Sequence, residues 1–121
     1  MTVDPFTDRL ARVRDRFAAT LTAKIDGTYA AIPRFPDAMP AAAAAVAEAY
    51  RCVHGIVGVG PTVGFPASGK AARGVEDILR TAQQQRRGLS AEEITRVSEA
   101  LQTLRNVAVG ELQAADLHKF R

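Results

Sequence analysis

The chain contains no tryptophan, a single cysteine and only two histidines in 121 residues. With Cys52 alone an internal disulfide is impossible, and the expectation is a reducing, cytoplasmic setting. No apolar run approaches the roughly 20 residues needed to span a bilayer, and Met1 to Arg9 lacks the charged-then-apolar order of a secretory leader. A membrane is therefore not an expected partner. No stretch alternates apolar and polar residues long enough to propose a sheet. Charge of one sign is also lacking: Lys and Arg number 16, Asp and Glu 13, for a net +3. The arginines at 9, 12, 14 and 16 are interleaved with Asp8 and Asp15, which describes a solvated helix face better than a nucleic-acid surface. Neither His54 nor His118 has a carboxylate or a second histidine three or four residues away, so no metal site is expected.

What remains is helical. The 47% hydrophobic and 24% charged balance suits one folded domain over 1–121. Asp4-Pro5 can open a helix, and Phe6, Leu10, Val13, Phe17, Leu21 and Ile25 then recur every three or four residues, marking a buried stripe. Phe6 alone is free to reach a partner surface. That helix is expected over about 5–28, fraying near Gly27. The prolines of Ile32-Pro-Arg-Phe-Pro-Asp37 impose a connector. Asp37 would cap a second, alanine-rich helix over about 38–59, with Val46, Tyr50, Val53 and Val57 on the core side and Gly60-Pro61 ending it. A third helix, about 67–86, shows Ala71, Ala72, Val75, Ile78, Leu79 and Ala82 on one face and closes on a basic end with Gly88. Ser90-Ala-Glu-Glu93 forms a capping box for a fourth, about 91–117, which frays beyond Leu117. Four amphipathic helices with short connections predict an all-α, antiparallel four-helix bundle.

The stretch from Ala49 to Phe65 is the informative one. At about 100° per residue, His54 falls about 60° from the centre of the apolar stripe of its helix, on the flank. Ala47, Arg51, Gly55 and Gly58 surround it, so the imidazole is lined by gaps rather than by packing partners. Cys52 has no orienting group nearby and reads as a small core or boundary residue. The glycines from 55 to 60 follow a helix rather than a strand and lack the Lys-Ser/Thr of a phosphate loop.

His54, Gly58, Gly60, Thr62-Val-Gly-Phe65 and Pro66 together resemble the histidine-containing phosphotransfer (HPt) domains, closely from Tyr50 to Leu79 and by pattern elsewhere. The resemblance implies a bundle whose second long helix exposes His54 as phosphoacceptor. A receiver-domain phospho-aspartate would supply the phosphoryl group, which then passes to another receiver. The implied partners are response-regulator receiver domains and a hybrid sensor histidine kinase, the chain itself being a monomer. No cofactor is expected on this chain, the Mg²⁺ belonging to the receiver. An imidazole is in part neutral near pH 7, so it can attack phosphorus without a dedicated base. Gly58, one turn beyond His54, would leave clearance for the incoming domain. The resemblance also places a polar residue, here Glu76, where it can hold the imidazole through its other nitrogen. Arg80 would pair with Glu76 or face the phosphate, although a plain i, i+4 surface pair, worth a few tenths of a kcal/mol, accounts equally well for those two. The sequence departs from the family at Val57, where a lysine is common, and at Gly55. Arg51 and Lys70 are then the candidate cations. A module that docks on a receiver or kinase through the same face, unphosphorylated, is the alternative.

Overall fold

The computed structural model describes residues 4–119, with side chains through Asp116, and among these residues every regular element is helical. Four α-helices, α1 (Pro5–Ala31), α2 (Ala41–Val59), α3 (Pro66–Gln84) and α4 (Ala91–Lys119), are joined by short 3₁₀ turns and loops. Each packs on its neighbour in sequence, and α1 meets α4 to close the ring, as a helical bundle requires. One apolar core runs through all four, from Phe17 and Leu21 on α1 to Leu101, Leu104 and Ala108 on α4.

The ends follow local chemistry in some places and tertiary packing in others. The Asp4 carboxylate caps α1, accepting from the Phe6 amide at 3.2 Å. Gly27 does not end α1, which continues to Ala31 with Thr28 and Ala31 buried. Asp37 does not cap α2. The helix begins only after Pro40, and no side chain caps it. The expected capping box at α4 is complete, Ser90 accepting from the Glu93 amide at 3.2 Å and Glu93 from the Ser90 amide at 2.9 Å. Arg87 adds a bidentate pair to the same carboxylate, at 2.8 and 3.1 Å. The expected fraying beyond Leu117 and the position of the His118 side chain lie outside the described side chains.

Two further ends differ from expectation. α3 stops at Gln84, with Arg86 rather than Gly88 in the left-handed conformation (φ 53°) and the Arg87 amide bonded back to the Ala82 carbonyl at 3.0 Å. Gly88 has another reason to lack a side chain: a Cβ there would stand 2.3 Å from the Phe35 carbonyl oxygen. The N-terminus of α3 has no cap of its own. Glu111 of α4 fills that role from a distance, accepting from the amides of Ala67 and Ser68 at 3.1 and 2.6 Å.

The stripe on α1 is buried only in its second half. Phe17, Leu21 and Ile25 are in the core, whereas Phe6, Leu10 and Val13 are exposed. On α2 the buried set is Ala42, Ala45, Val46, Ala49, Val53 and Ile56, with Tyr50 and Val57 half-buried. The alanines therefore face inward, and α2 is rotated from the orientation that its bulkier residues predict. Small side chains let α2 sit close to its neighbours, which outweighs burying Tyr50 completely.

Candidate functional site

That rotation decides the setting of His54. Measured around α2, His54 lies about 130° from the centre of the buried face rather than about 60°. Its side chain is 63% exposed. Tyr50, one turn earlier, stacks on the imidazole with ring centres 5.6 Å apart and planes 13° apart. From the facing α3, Glu76 brings a carboxylate oxygen 2.8 Å from His54 Nδ1.

Glu76 is buried, its side chain only 6% exposed, although it stands beside an exposed histidine. Its second oxygen accepts from Arg80 at 2.8 Å, and Arg80 is shared with Asp77 at 3.0 Å. Burial by itself would raise the Glu76 carboxyl, but the hydrogen bonds and charges of His54 and Arg80 outweigh it and hold the group below the usual glutamate value. Glu76 is thus an anchored anion rather than half of an ordinary surface pair.

The chemical consequence concerns the tautomer. A carboxylate only accepts hydrogen bonds, so the nitrogen facing it carries the proton. In the neutral imidazole the Nδ1–H then donates to Glu76, and Nε2 keeps its lone pair. No hydrogen bond engages Nε2 among the described residues. The ring is held on one edge by Glu76, supported on one face by Tyr50, and open at the remaining nitrogen. Such an arrangement suits a nucleophile.

Gly58 is exposed and open, with nothing within 4 Å of where a Cβ would stand. Gly60 and Gly64 lie in the tight turn that follows. Gly64 takes φ 97°, which favours glycine, and caps the 3₁₀ turn over Gly60–Val63. Gly69 admits the ring of Pro61, whose carbons would stand 2.7 Å from a Cβ. This packing fixes where α3, and with it Glu76, begins.

Arg51 and Lys70 are exposed, and neither forms a hydrogen bond or ion pair among the described residues. No hydrogen bond joins either of them to the imidazole among the described residues. Tyr50, stacked on the imidazole, and Lys24, whose ammonium lies beside Gly55, are the two residues that sequence reasoning missed. The four-residue spacing from Tyr50 to His54 was the available signal for the stacking. Nothing local signals Lys24, which comes from α1. Cys52 is a free, half-buried thiol. Among the described residues no three His, Cys, Asp or Glu side chains gather as metal ligands. No helix among them is long and apolar enough to cross a membrane. A cavity of about 670 Å³ opens between Asp15, Phe65 and Leu112, but neither His54 nor Glu76 lines it.

Comparison with protein-family models, with curated proteins and with solved structures gave no match.

Proposed function

We propose that this chain is an HPt-like antiparallel four-helix bundle that works as a cytoplasmic phosphorelay intermediate, with His54 as its phosphoacceptor. The observation that carries the reading is the exposed imidazole with Nδ1 held by a buried, arginine-anchored glutamate and Nε2 left open. The Nε2 lone pair attacks the phosphorus of a receiver phospho-aspartate and forms the N–P bond. The bond between phosphorus and the aspartate oxygen breaks, and the departing carboxylate keeps its electrons. The positive charge that develops on the imidazole is met through Nδ1–H by the Glu76 carboxylate. The reverse step delivers the phosphoryl group to a second receiver.

Positioning and charge stabilisation dominate phosphoryl transfer, and Glu76 provides both on this side of the complex. The receiver brings its own acidic pocket and Mg²⁺. A hybrid sensor kinase and one or more response regulators are the partner class, meeting the monomer on the face of α2 that carries His54 and Gly58.

Incubation with a receiver domain charged by acetyl phosphate tests the reading directly. The expected product is an acid-labile, base-stable phosphorylated chain, absent in His54→Gln. Glu76→Ala should slow labelling by about tenfold to a hundredfold, because the ring loses both its tautomer and its orientation. Label that persists in His54→Gln overturns the assignment. A chain that binds the receiver tightly yet never takes label is a docking module instead.

A further inference from the structure

Tyr50, His54 and Gly58 stand one turn apart along α2. One turn before the imidazole Tyr50 presents a ring, stacked on it with centres 5.6 Å and planes 13° apart. One turn after it Gly58 presents no side chain at all. The single hydrogen bond between Nδ1 and Glu76 pins one corner of the imidazole. A ring held at one corner still turns about that bond, because the last torsion of a histidine has a broad minimum. A flat neighbour removes that freedom. Tyr50 is fit to be that neighbour, being half-buried and packed against the core while His54 is exposed. Its side chain also bears on Arg80, whose guanidinium is raised above its usual value by Glu76 first and by Tyr50 next. Tyr50 thus braces both the ring and the arginine that anchors Glu76.

We propose that Tyr50 is the positioning residue for His54, its ring face fixing the plane of the imidazole and with it the line along which the Nε2 lone pair meets phosphorus. This rests on His54 being the phosphoacceptor. The lone pair lies in the plane of the ring, so a turn of the ring swings it off the axis of displacement. The transfer itself is unchanged. Nε2 bonds to phosphorus, the aspartate oxygen leaves with its electrons, and Tyr50 exchanges neither proton nor electron. In a docked receiver the phosphorus is held in one place, and the alignment of the two reacting atoms then controls the rate. A small donor free to tumble meets the lone pair whichever way the ring is turned. Stacking needs the aromatic face and not the hydroxyl. These two properties separate positioning from a change in the chemistry of the ring, and from packing alone.

Single-turnover transfer from a receiver domain charged by acetyl phosphate, followed at increasing receiver concentration, tests this on the intact chain. Tyr50→Leu keeps an apolar side chain and loses the ring face. It should lower the limiting rate about tenfold and leave the half-saturating concentration within about twofold of wild type. Tyr50→Phe should restore the rate. Phosphoramidate, a small donor that phosphorylates histidine directly, should label wild type and Tyr50→Leu at rates within about twofold of each other. In NMR spectra the His54 ring protons should be shifted upfield by the stacked ring in wild type and Tyr50→Phe, and not in Tyr50→Leu. If Tyr50→Leu does not fold, Tyr50→Met, flexible enough to fill the same gap, carries the same expectations. A limiting rate within about twofold of wild type, an equal loss with phosphoramidate, or a loss confined to the half-saturating concentration overturns the role of Tyr50 alone. Wild type that takes no label on His54 from a receiver overturns both inferences.

Discussion

His54 is exposed yet constrained, and the constraint comes from residues distant in sequence. Glu76 lies 22 positions away and still sits 2.8 Å from Nδ1. Glycine at position 58 is the complementary feature, since it leaves the same face open. Gly58 lies in the last turn of α2, where a Cβ meets nothing. Gly58→Ala should therefore raise stability by about 0.5–1 kcal/mol through helix propensity, as denaturant unfolding would measure. Gly58→Arg should leave the unfolding midpoint close to wild type while blocking transfer from a receiver. A variant that folds but cannot be labelled separates clearance from packing. At this scale the exposed His54 and the open Gly58 were legible in the sequence, and Glu76 could be named only from the family resemblance. The stacking of Tyr50 had its signal in the four-residue spacing, whereas the approach of Lys24 did not, because it depends on what α1 lays against α2.

At the scale of the helices, the start of α4 is where local chemistry acts most strongly. Glu93 accepts from the Ser90 amide and from both terminal nitrogens of Arg87. The Arg87 guanidinium, with the Ser90 amide, brings the Glu93 carboxyl down to about 2 from an ordinary 4.5. Because the folded value is the lower one, this charge stabilises the fold above pH 4.5 and ceases to do so as pH falls from 4.5 through about 2. Glu93→Gln should cost about 2 kcal/mol at pH 7 in urea unfolding, and its deficit relative to wild type should shrink towards pH 2. An equal deficit at both ends of that range would show that shape, not charge, carries the contribution. The capping box could be read from Ser90-Ala-Glu-Glu93, as could the break at Gly60-Pro61. Asp37 and Gly88 were misread because cap residues are common in loops. Which of them meets a helix end is decided by where the chain is pulled, here by the contact of Gly88 with the Phe35 carbonyl. The Glu111 cap on α3 could not be foreseen at all, since its partners are more than 40 positions away.

For the whole molecule, the distribution of burial along α1 predicts an uneven response to substitution. Leu21 is fully buried and Phe6 is 67% exposed, although both belong to one apolar stripe. Leu21→Ala should destabilise by about 3 kcal/mol, the usual result of emptying a packed site. Phe6→Ala should change stability by less than about 0.5 kcal/mol. Thermal unfolding of the two variants would check the contrast, and a large loss in Phe6→Ala would mean that the first turns of α1 are covered in solution. Apolar spacing alone cannot tell these residues apart, because it reports which face is apolar but not how far the neighbouring helices extend.

Helical class, the number of long helices, the break after Val59 and the choice of His54 as the candidate residue all follow from local terms. Side-chain periodicity, proline sterics and capping act within a few residues and leave their mark in the order of the chain. The rotation of α2, the meeting of His54 with Glu76 and the placement of Lys24 over Gly55 were decided only by the tertiary structure. Each depends on how alanine-lined helices approach and turn against one another, a balance of packing over the whole core that no short stretch contains.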